Sequence, residues 1–537
     1  MLSFLSFVAF TLFVALFSWY HLRKEKLDSR DGYFLGGRSL TAGVIAGSMI
    51  LTNISTEHLI GMNGDAYTHG AIIIGWEVTS AIALVIGALY FIPRYLKMGL
   101  TTIPEYLEYR FDGFTRSLVA FMLVLSFAFT LLPIVLYTGA INFESIFDVS
   151  GVLGVSEQDG LWATVLAIGL LGSIYAIFGG LKAVAYSDTL NGYGLLIGGL
   201  LVPVFALWQI GDGQLWQGLA TVYERVPEKF SVVGSHDSVM PFEVLFTGLI
   251  VNQLYFWCMN QAIIQRALGA QNLKEAQKGL MLTGLFKILV PIIIVLPGII
   301  GFYYFTHYQP TPIARSELVY PELVKAVLPL SLTGFFAAVV MGAVLSTFNS
   351  VLNSAATLFS VDIFQRYLKQ DASERQLVRA GKLTTTLMAA VAIVVAPFVA
   401  HAPEGLYQLL QTLNGIYFIP IASILLAGFF LPRVSATGAK AAFFFGLAFY
   451  VLMAFVFDID NRENIEAGRF YLHYIHIWGI EFLLNVGIML AVSHFYPRKA
   501  TEPEKEAAVV ALTPWPYAKW AGLALTIITV VIYMLLR

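Results

Sequence analysis

Thr52-Asn53-Ile54-Ser55-Thr56-Glu57-His58 interrupts an otherwise apolar run from residue 40 to residue 66, and Gly61, Gly64 and Asp65 follow it. Such a run cannot face lipid, because polar groups inside a bilayer must find partners within the protein. It fits a helix unwound near the middle of the membrane, where freed carbonyls are available to a cation. A second apolar run, 241–265, is interrupted in the same way at Asn252, Gln253, Asn260 and Gln261. Each interrupted run opens a set of five, 40–210 and 241–431. Two similar halves, each led by a broken helix, predict an inverted-repeat transporter with a central site. Bonding between neighbouring helices is the simpler explanation for one polar run, and a weaker one for two in matching places.

The rest of the chain supplies the membrane around these two segments. Hydrophobic residues make up 58% of the 537 positions and charged residues 12%, against roughly 25% charged in soluble proteins. A bilayer core of about 30 Å takes roughly 20 apolar residues as helix. About fourteen spans meet that description, near 2–21, 40–66, 71–95, 117–147, 160–178, 184–210, 241–265, 277–305, 329–364, 380–399, 405–431, 436–457, 470–495 and 516–536. The expected class is therefore an all-α integral membrane protein. The first run, Leu2 to Tyr20, lacks a positive leader and a small-residue cleavage site, and its basic cluster (Arg23, Lys24, Lys26) follows it. It reads as a retained helix.

Alternate loops divide the 32 Lys and Arg residues into a set of 24, Arg266 among them, and a set of 7, with Lys287 left inside a span. That asymmetry predicts that the richer loops are cytoplasmic and both termini lie outside a multi-pass cell (inner) membrane protein. The organisation that follows is an extra helix and loop at 1–39, the two halves, an external loop at 211–240, and three peripheral helices at 432–537. The loops are too short for a soluble domain. No P-loop, HExxH or GxSxG pattern occurs, so ATP-driven transport and common hydrolase chemistry lack their machinery, and the chain does not read as an enzyme. A net charge of −2 and the lack of a basic tract point to no nucleic-acid partner. The single cysteine, Cys258, lies in an apolar run and forms no internal disulfide.

Other polar groups inside the spans extend the site. Ala343, Ser346 and Thr347 share one helix face, and two hydroxyls there suit a hard cation; hydroxyls that bond their own helix or glue helices together look the same in sequence. Asp188 adds a negative charge near this region, or caps its helix, or pairs with Lys182. Glu77 lies about two turns into its span beside Trp76, with Ser80 a turn further. Lys287 sits roughly 13–15 Å into its helix at 1.5 Å per residue. Snorkelling would rescue either charge. Convergence on a polar cavity would instead give hydroxyl groups an acceptor and donors, with Gln411, Asn414 and Tyr407 adding amides and an aromatic face. Such a wall suits a sugar.

At these residues the sequence resembles the sodium/solute symporter family, and more closely its sodium/sugar cotransporter branch. The resemblance is carried by Gly32-Tyr33-Phe34-Leu35-Gly36-Gly37-Arg38-Ser39-Leu40, Asn53-Ile54-Ser55, Ile60-Gly61-Met62, Thr102-Ile103-Pro104-Glu105, Gly179-Gly180-Leu181, Ala276-Gln277-Lys278-Gly279 and Leu352-Asn353-Ser354, in order along most of the chain. It implies a LeuT-type 5+5 inverted repeat, often with fourteen helices. It implies a sodium (Na+) site from the carbonyls of Leu51, Ile54 and Ala343 with the hydroxyls of Ser346 and Thr347, and a coupling role for Asp188. It places Asn53, Glu77, Ser80, Lys287 and Gln411 at a sugar pocket. His58, Trp76 and Gln253 stand there where characterised pockets have Gln, Tyr and Asn. Met62 and Tyr407 match positions that close the pocket from outside; Phe256 replaces an inner-gate Tyr beside the matching Trp257. The expected activity is sodium-coupled import of a hexose such as galactose or glucose. Sialic acid, another anionic sugar or a small organic solute keeps the same fold with other cargo, and a transporter-like sensor or channel is the reading from another class. The lack of a third hydroxyl, at Ala343, favours one sodium per cycle.

Overall fold

The computed structural model describes residues 2–22, 28–401, 406–498 and 507–536. The cluster Arg23, Lys24 and Lys26, used above to orient the first helix, lies outside them, as do Lys499, Lys505 and Arg537. Among the described residues the chain is helical without strands, apart from isolated bridges at Leu40–Ala270 and Asn272–Ala511. The principal helical segments are α1 (Leu2–Leu22), α2 (Ala42–Asn53), α3 (Glu57–Lys97), α4 (Gly113–Phe147), α5 (Glu157–Ile177), α6 (Gly179–Ile210), α7 (Gly248–Cys258), α8 (Gln261–Leu268), α9 (Leu273–Tyr308), α10 (Leu330–Leu368), α11 (Glu374–Val399), α12 (Leu406–Phe430), α13 (Ala436–Val456), α14 (Tyr474–Phe495) and α15 (Ala518–Leu535). Eleven of the described helices are long and apolar enough to cross a membrane, and α1 and α2 contain shorter apolar stretches. Of the fourteen expected spans, 40–66 and 241–265 are broken into short pieces and the first contributes the shorter apolar stretch Leu2–Ser18, which leaves eleven full-length spans among the described residues.

Both interruptions expected from sequence are breaks in the backbone. α2 ends at Asn53, where Ile54 turns to an extended conformation (φ −86°, ψ 91°). The amide of Ser55, which an unbroken helix would aim at Leu51, bonds Asn53 O at 3.2 Å instead. Thr56 anchors the far side of the break through Thr138 Oγ1 at 2.7 Å. The second break lies at Met259 and Asn260, where Asn260 (ψ 119°) accepts from the amide of Ala262 at 2.9 Å and caps α8. Side-chain caps of this kind satisfy amide groups that a new helix leaves open. Asn252 and Gln253, read from sequence as part of the interruption, sit inside the regular helix α7. Helices α5 and α6 join at Gly180, whose φ of +59° and close approach to Tyr33 O (2.8 Å from an added Cβ) leave no room for a side chain.

Burial separates a centre from a periphery. The apolar window of α10 is 89% buried, whereas those of α13, α14 and α15 are 33%, 33% and 22% buried. α6 crosses α2 closely, with Gly47 and Gly192 at the contact, and meets α10 where Gly342 packs on Asn191. The chain just before α2 meets the chain just after α8: Leu40 N donates to Gly269 O and Gln271 N to Leu40 O, each at 3.1 Å. The two breaks therefore face a common, buried centre.

Candidate functional site

Beside the breaks lies a small cavity with about 70 Å³ of free space, lined from α2, α3, α4, α7, α8, α9, α10 and α12. Its polar floor is built around Lys287 and Glu77, each 1% exposed. The Lys287 ammonium donates to Asn53 Oδ1 at 2.7 Å and pairs directly with Glu77 Oε2. It also sits 5.3 Å from the centre of the Trp257 ring. Neither charge snorkels. They converge at the first break, because Asn53 is the last residue of α2 and its side chain is released into the cavity.

The remaining pocket residues fall into two groups. Ser80 Oγ donates to Gln253 Oε1 (2.9 Å), which also accepts from Trp257 Nε1 (3.1 Å). Gln253 Nε2 donates to Trp76 O (2.8 Å) and to Thr79 Oγ1 (3.0 Å). This amide is committed to holding α7 on α3. Opposite it, Tyr407 closes over the cavity, edge-on to Trp76 (5.8 Å between centres) and to His58 (5.3 Å), and its hydroxyl accepts from Gln411 Nε2 at 3.1 Å. Tyr407 reaches this position because Gly61 has no side chain; an added Cβ there would lie 2.9 Å from Tyr407 Cβ. Phe256 lies on the wall, partly exposed, edge-on to Trp257 at 5.2 Å. Met62 is fully buried, outside the cavity wall.

A second cluster adjoins the floor. Thr347 directs its hydroxyl at the carbonyls of Leu51 (3.3 Å) and Thr52 (3.1 Å), the groups the first break leaves without their helical partners. Ser346 Oγ is buried without a hydrogen bond of normal geometry and faces the Asp188 carboxyl. Ile54 and Ala343 are fully buried in the same region. Carbonyl and hydroxyl oxygens, with one buried hydroxyl oxygen lacking a hydrogen bond, fit a small hard cation such as sodium.

Asp188 corrects the sequence picture of its neighbour. It accepts from Ser48 Oγ at 2.7 Å and from Ser350 Oγ at 3.5 Å, with Arg266 Nη2 at 3.9 Å. Arg266, counted above with the cytoplasmic loop cations, is fully buried in α8 and donates to Ser48 Oγ (3.1 Å), Ser350 Oγ and Ala262 O. The break at Asn260 turns α8 inward, so the position of Arg266 at the end of an apolar run no longer places it in a loop.

A model of the sodium:solute symporter family matches residues 33–446. The chain belongs to the sodium:solute symporter family. Among curated relatives of this symporter, it is 42% identical over 99% of its length to the uncharacterised symporter YidK of Escherichia coli, covering 90% of that protein. It is 30% identical over 85% of its length to the sodium/glucose cotransporter of Vibrio parahaemolyticus, covering 86% of it. Its fold matches a solved structure of a sodium-coupled sialic acid symporter in a substrate-bound outward-open state (TM-score 0.76, 21% identity, 94% of this chain and 99% of that one). Family members are sodium-coupled transporters rather than enzymes, and the symporter described here is a multi-pass membrane protein of that kind.

Two charged residues of the centre were not singled out in sequence as site residues. Glu57 lines the cavity and Arg266 lies beneath the cation cluster. Glu57 was visible as part of a polar run, but nothing in that run distinguished one residue from the next. Asn414, whose Oδ1 accepts from Tyr417 OH, lies on the wall as expected.

Proposed function

We propose that this symporter imports a sugar of hexose size, such as galactose or glucose, with sodium, by alternating access. The observation that carries the reading is the joint use of one break: Thr52 offers its carbonyl to the hydroxyl cluster, while the next residue, Asn53, holds Lys287 beside Glu77. Sodium is ligated by Leu51, Ile54, Ala343, Ser346 and Thr347, with Thr52 O close by, and Asp188 tunes the site from beneath. The sugar lies among Asn53, His58, Trp76, Glu77, Ser80, Lys287 and Gln411, with Gln253 supporting from behind. Its hydroxyls exchange hydrogen bonds with the carboxylate, ammonium and amide groups while its apolar ring face meets Trp76 or Tyr407.

Met62 and Tyr407 form the outer closure and Phe256 and Trp257 the inner one. The framework is the five-plus-five repeat of 40–210 and 241–431, in a cell (inner) membrane, with both termini outside and the helix at 1–39 and those at 432–537 peripheral. Sodium fixes the broken helix against α10, which orders Asn53 and completes the pocket. The outer gate then closes and the inner one opens. A membrane potential contributes about 2.3 kcal/mol per charge per 100 mV, roughly fifty-fold accumulation for one sodium at 1.36 kcal/mol per factor of ten. Anionic sugars are the weaker reading, because the Lys287 ammonium is already held by Glu77 and Asn53. Uptake of radiolabelled galactose and glucose into proteoliposomes tests the proposal. Sodium outside should drive accumulation, and equal uptake with potassium in its place would sink it.

A further inference from the structure

One carboxylate on the cavity wall has no role in that reading. Glu57 begins the outer half of the first broken helix, is 3% exposed, and lines the cavity. Its Oε2 is buried without a hydrogen bond. Its Oε1 lies 3.7 Å from His58 Nδ1, which also has no hydrogen-bond partner. On the other side of the imidazole, Nε2 lies 3.9 Å from Glu77 Oε1. Among the described residues, the cavity wall thus carries two carboxylates, one ammonium and one imidazole. The ammonium is spent on Glu77 and Asn53, and His58 lies between the two carboxylates, where a single imidazole can offset one of them at most.

Position at the first turn of a helix favours the negative charge on Glu57, yet its Oε2 is buried without a hydrogen bond, and a buried carboxylate short of partners is strongly destabilising. The compensation must come from what enters the cavity. A neutral hydroxyl gives one donor. A protonated amine gives three donors and the missing charge, in hydrogen bonds about twice as strong as neutral ones. An acidic group would face two carboxylates instead. We propose that Glu57 is a second solute-binding carboxylate, and that the site takes a polyhydroxylated solute bearing a protonated amino group in preference to its neutral or acidic analogues. The inference rests on this cavity being the sugar site and narrows the class of sugar it takes.

The test is competition for sodium-driven uptake in proteoliposomes, and sodium-dependent thermal protection of the purified protein, with matched panels. These are glucose, glucosamine and glucuronate, and galactose, galactosamine and galacturonate. In the native chain the amino sugar of at least one panel should bind about tenfold more tightly than its neutral parent, and the acid most weakly. Glu57→Gln should collapse the ratio of amino to neutral sugar to about one, and Glu57→Asp should retain a preference. Neutral sugars that bind as tightly as their amino counterparts in the native chain would overturn the inference, as would a ratio untouched by Glu57→Gln. Should Glu57→Gln fail to fold, the native ranking together with Glu57→Asp still decides. Failure of every member of both panels to bind in sodium would instead remove the sugar reading itself.

Discussion

Replacing Lys287 by Met removes one half of an ion pair in which both groups are 1% exposed. Glu77 would keep His58 Nε2, at 3.9 Å, as its nearest ring nitrogen. Breaking a buried pair from one side costs about 3–5 kcal/mol, whereas exchanging both partners for neutral groups of similar size is often close to neutral. At about 2.1 cal/mol/K per residue, a chain of 537 residues loses roughly 1 °C of apparent midpoint for each kcal/mol. Lys287→Met should therefore lower the midpoint by about 3–5 °C, and Glu77→Gln, which leaves the ammonium with Asn53 and Trp257, by somewhat less. The pair Glu77→Gln with Lys287→Met should return to within about 1 °C of the native value. Tryptophan-fluorescence melting in detergent reads all four proteins, and uptake assays run beside it. Transport should stay lost in the double variant, because neither the ammonium nor the carboxylate is there to meet a solute. Losses that simply add in the double variant would refute the reasoning, since additivity is the mark of groups that do not interact.

Thr347→Ala or Ser346→Ala should raise the sodium concentration for half-maximal uptake about tenfold, the equivalent of one lost ligand at about 1.4 kcal/mol; an unchanged sodium curve in both would misplace the cation. Arg266→Lys retains the charge but not the planar fork that reaches Ser48, Ser350 and Ala262 together. It should cost about 2 kcal/mol, or two hydrogen bonds, seen as a melting midpoint about 2 °C lower. Gly61→Ala would set a methyl 2.9 Å from Tyr407 Cβ and push that ring off Trp76 and His58. Solute affinity should fall several-fold while the sodium curve of solute-free thermal protection holds still.

Those residues that sequence placed well share one property: lipid offers them no alternative. Glu77 and Lys287 had to be explained inside the protein, and they meet. The polar run at 52–58 had to leave the helix, and it does so at Ile54. What sequence could not place depended on direction rather than on polarity. Gln253 looks like part of a break, but it is a helical residue turned sideways to grip Ser80 and Trp76 O. Arg266 looks like a loop cation, because hydropathy counts residues along the chain and cannot register that one extended residue, Asn260, re-aims the next eight. Asp188 was open between a cap, a Lys182 pair and the cation region; its ligands on α2, α8 and α10 follow from a crossing that only Gly47 and Gly192 permit.

That crossing also explains how two ligands could be coupled without a long pathway. Thr347 bonds the carbonyl of Thr52, and the Thr52 hydroxyl lies 3.0 Å from Ser350 Oγ. Ser350 in turn accepts from Arg266, which rides on α8, the second piece of the second broken helix. A cation drawn to the Leu51 and Thr52 carbonyls would compete with the Thr347 hydroxyl for them and, through the Thr52 side chain, reorder Ser350. On the other side, Asn53 follows Thr52 by one peptide unit and bonds Lys287 in the solute cavity. Peptide planes are stiff, so fixing the carbonyl of Thr52 constrains the backbone that carries Asn53. The proposed sodium site therefore biases the pocket through a single residue step and the second broken helix through one hydroxyl, and both connections pass through the stretch at 52–53.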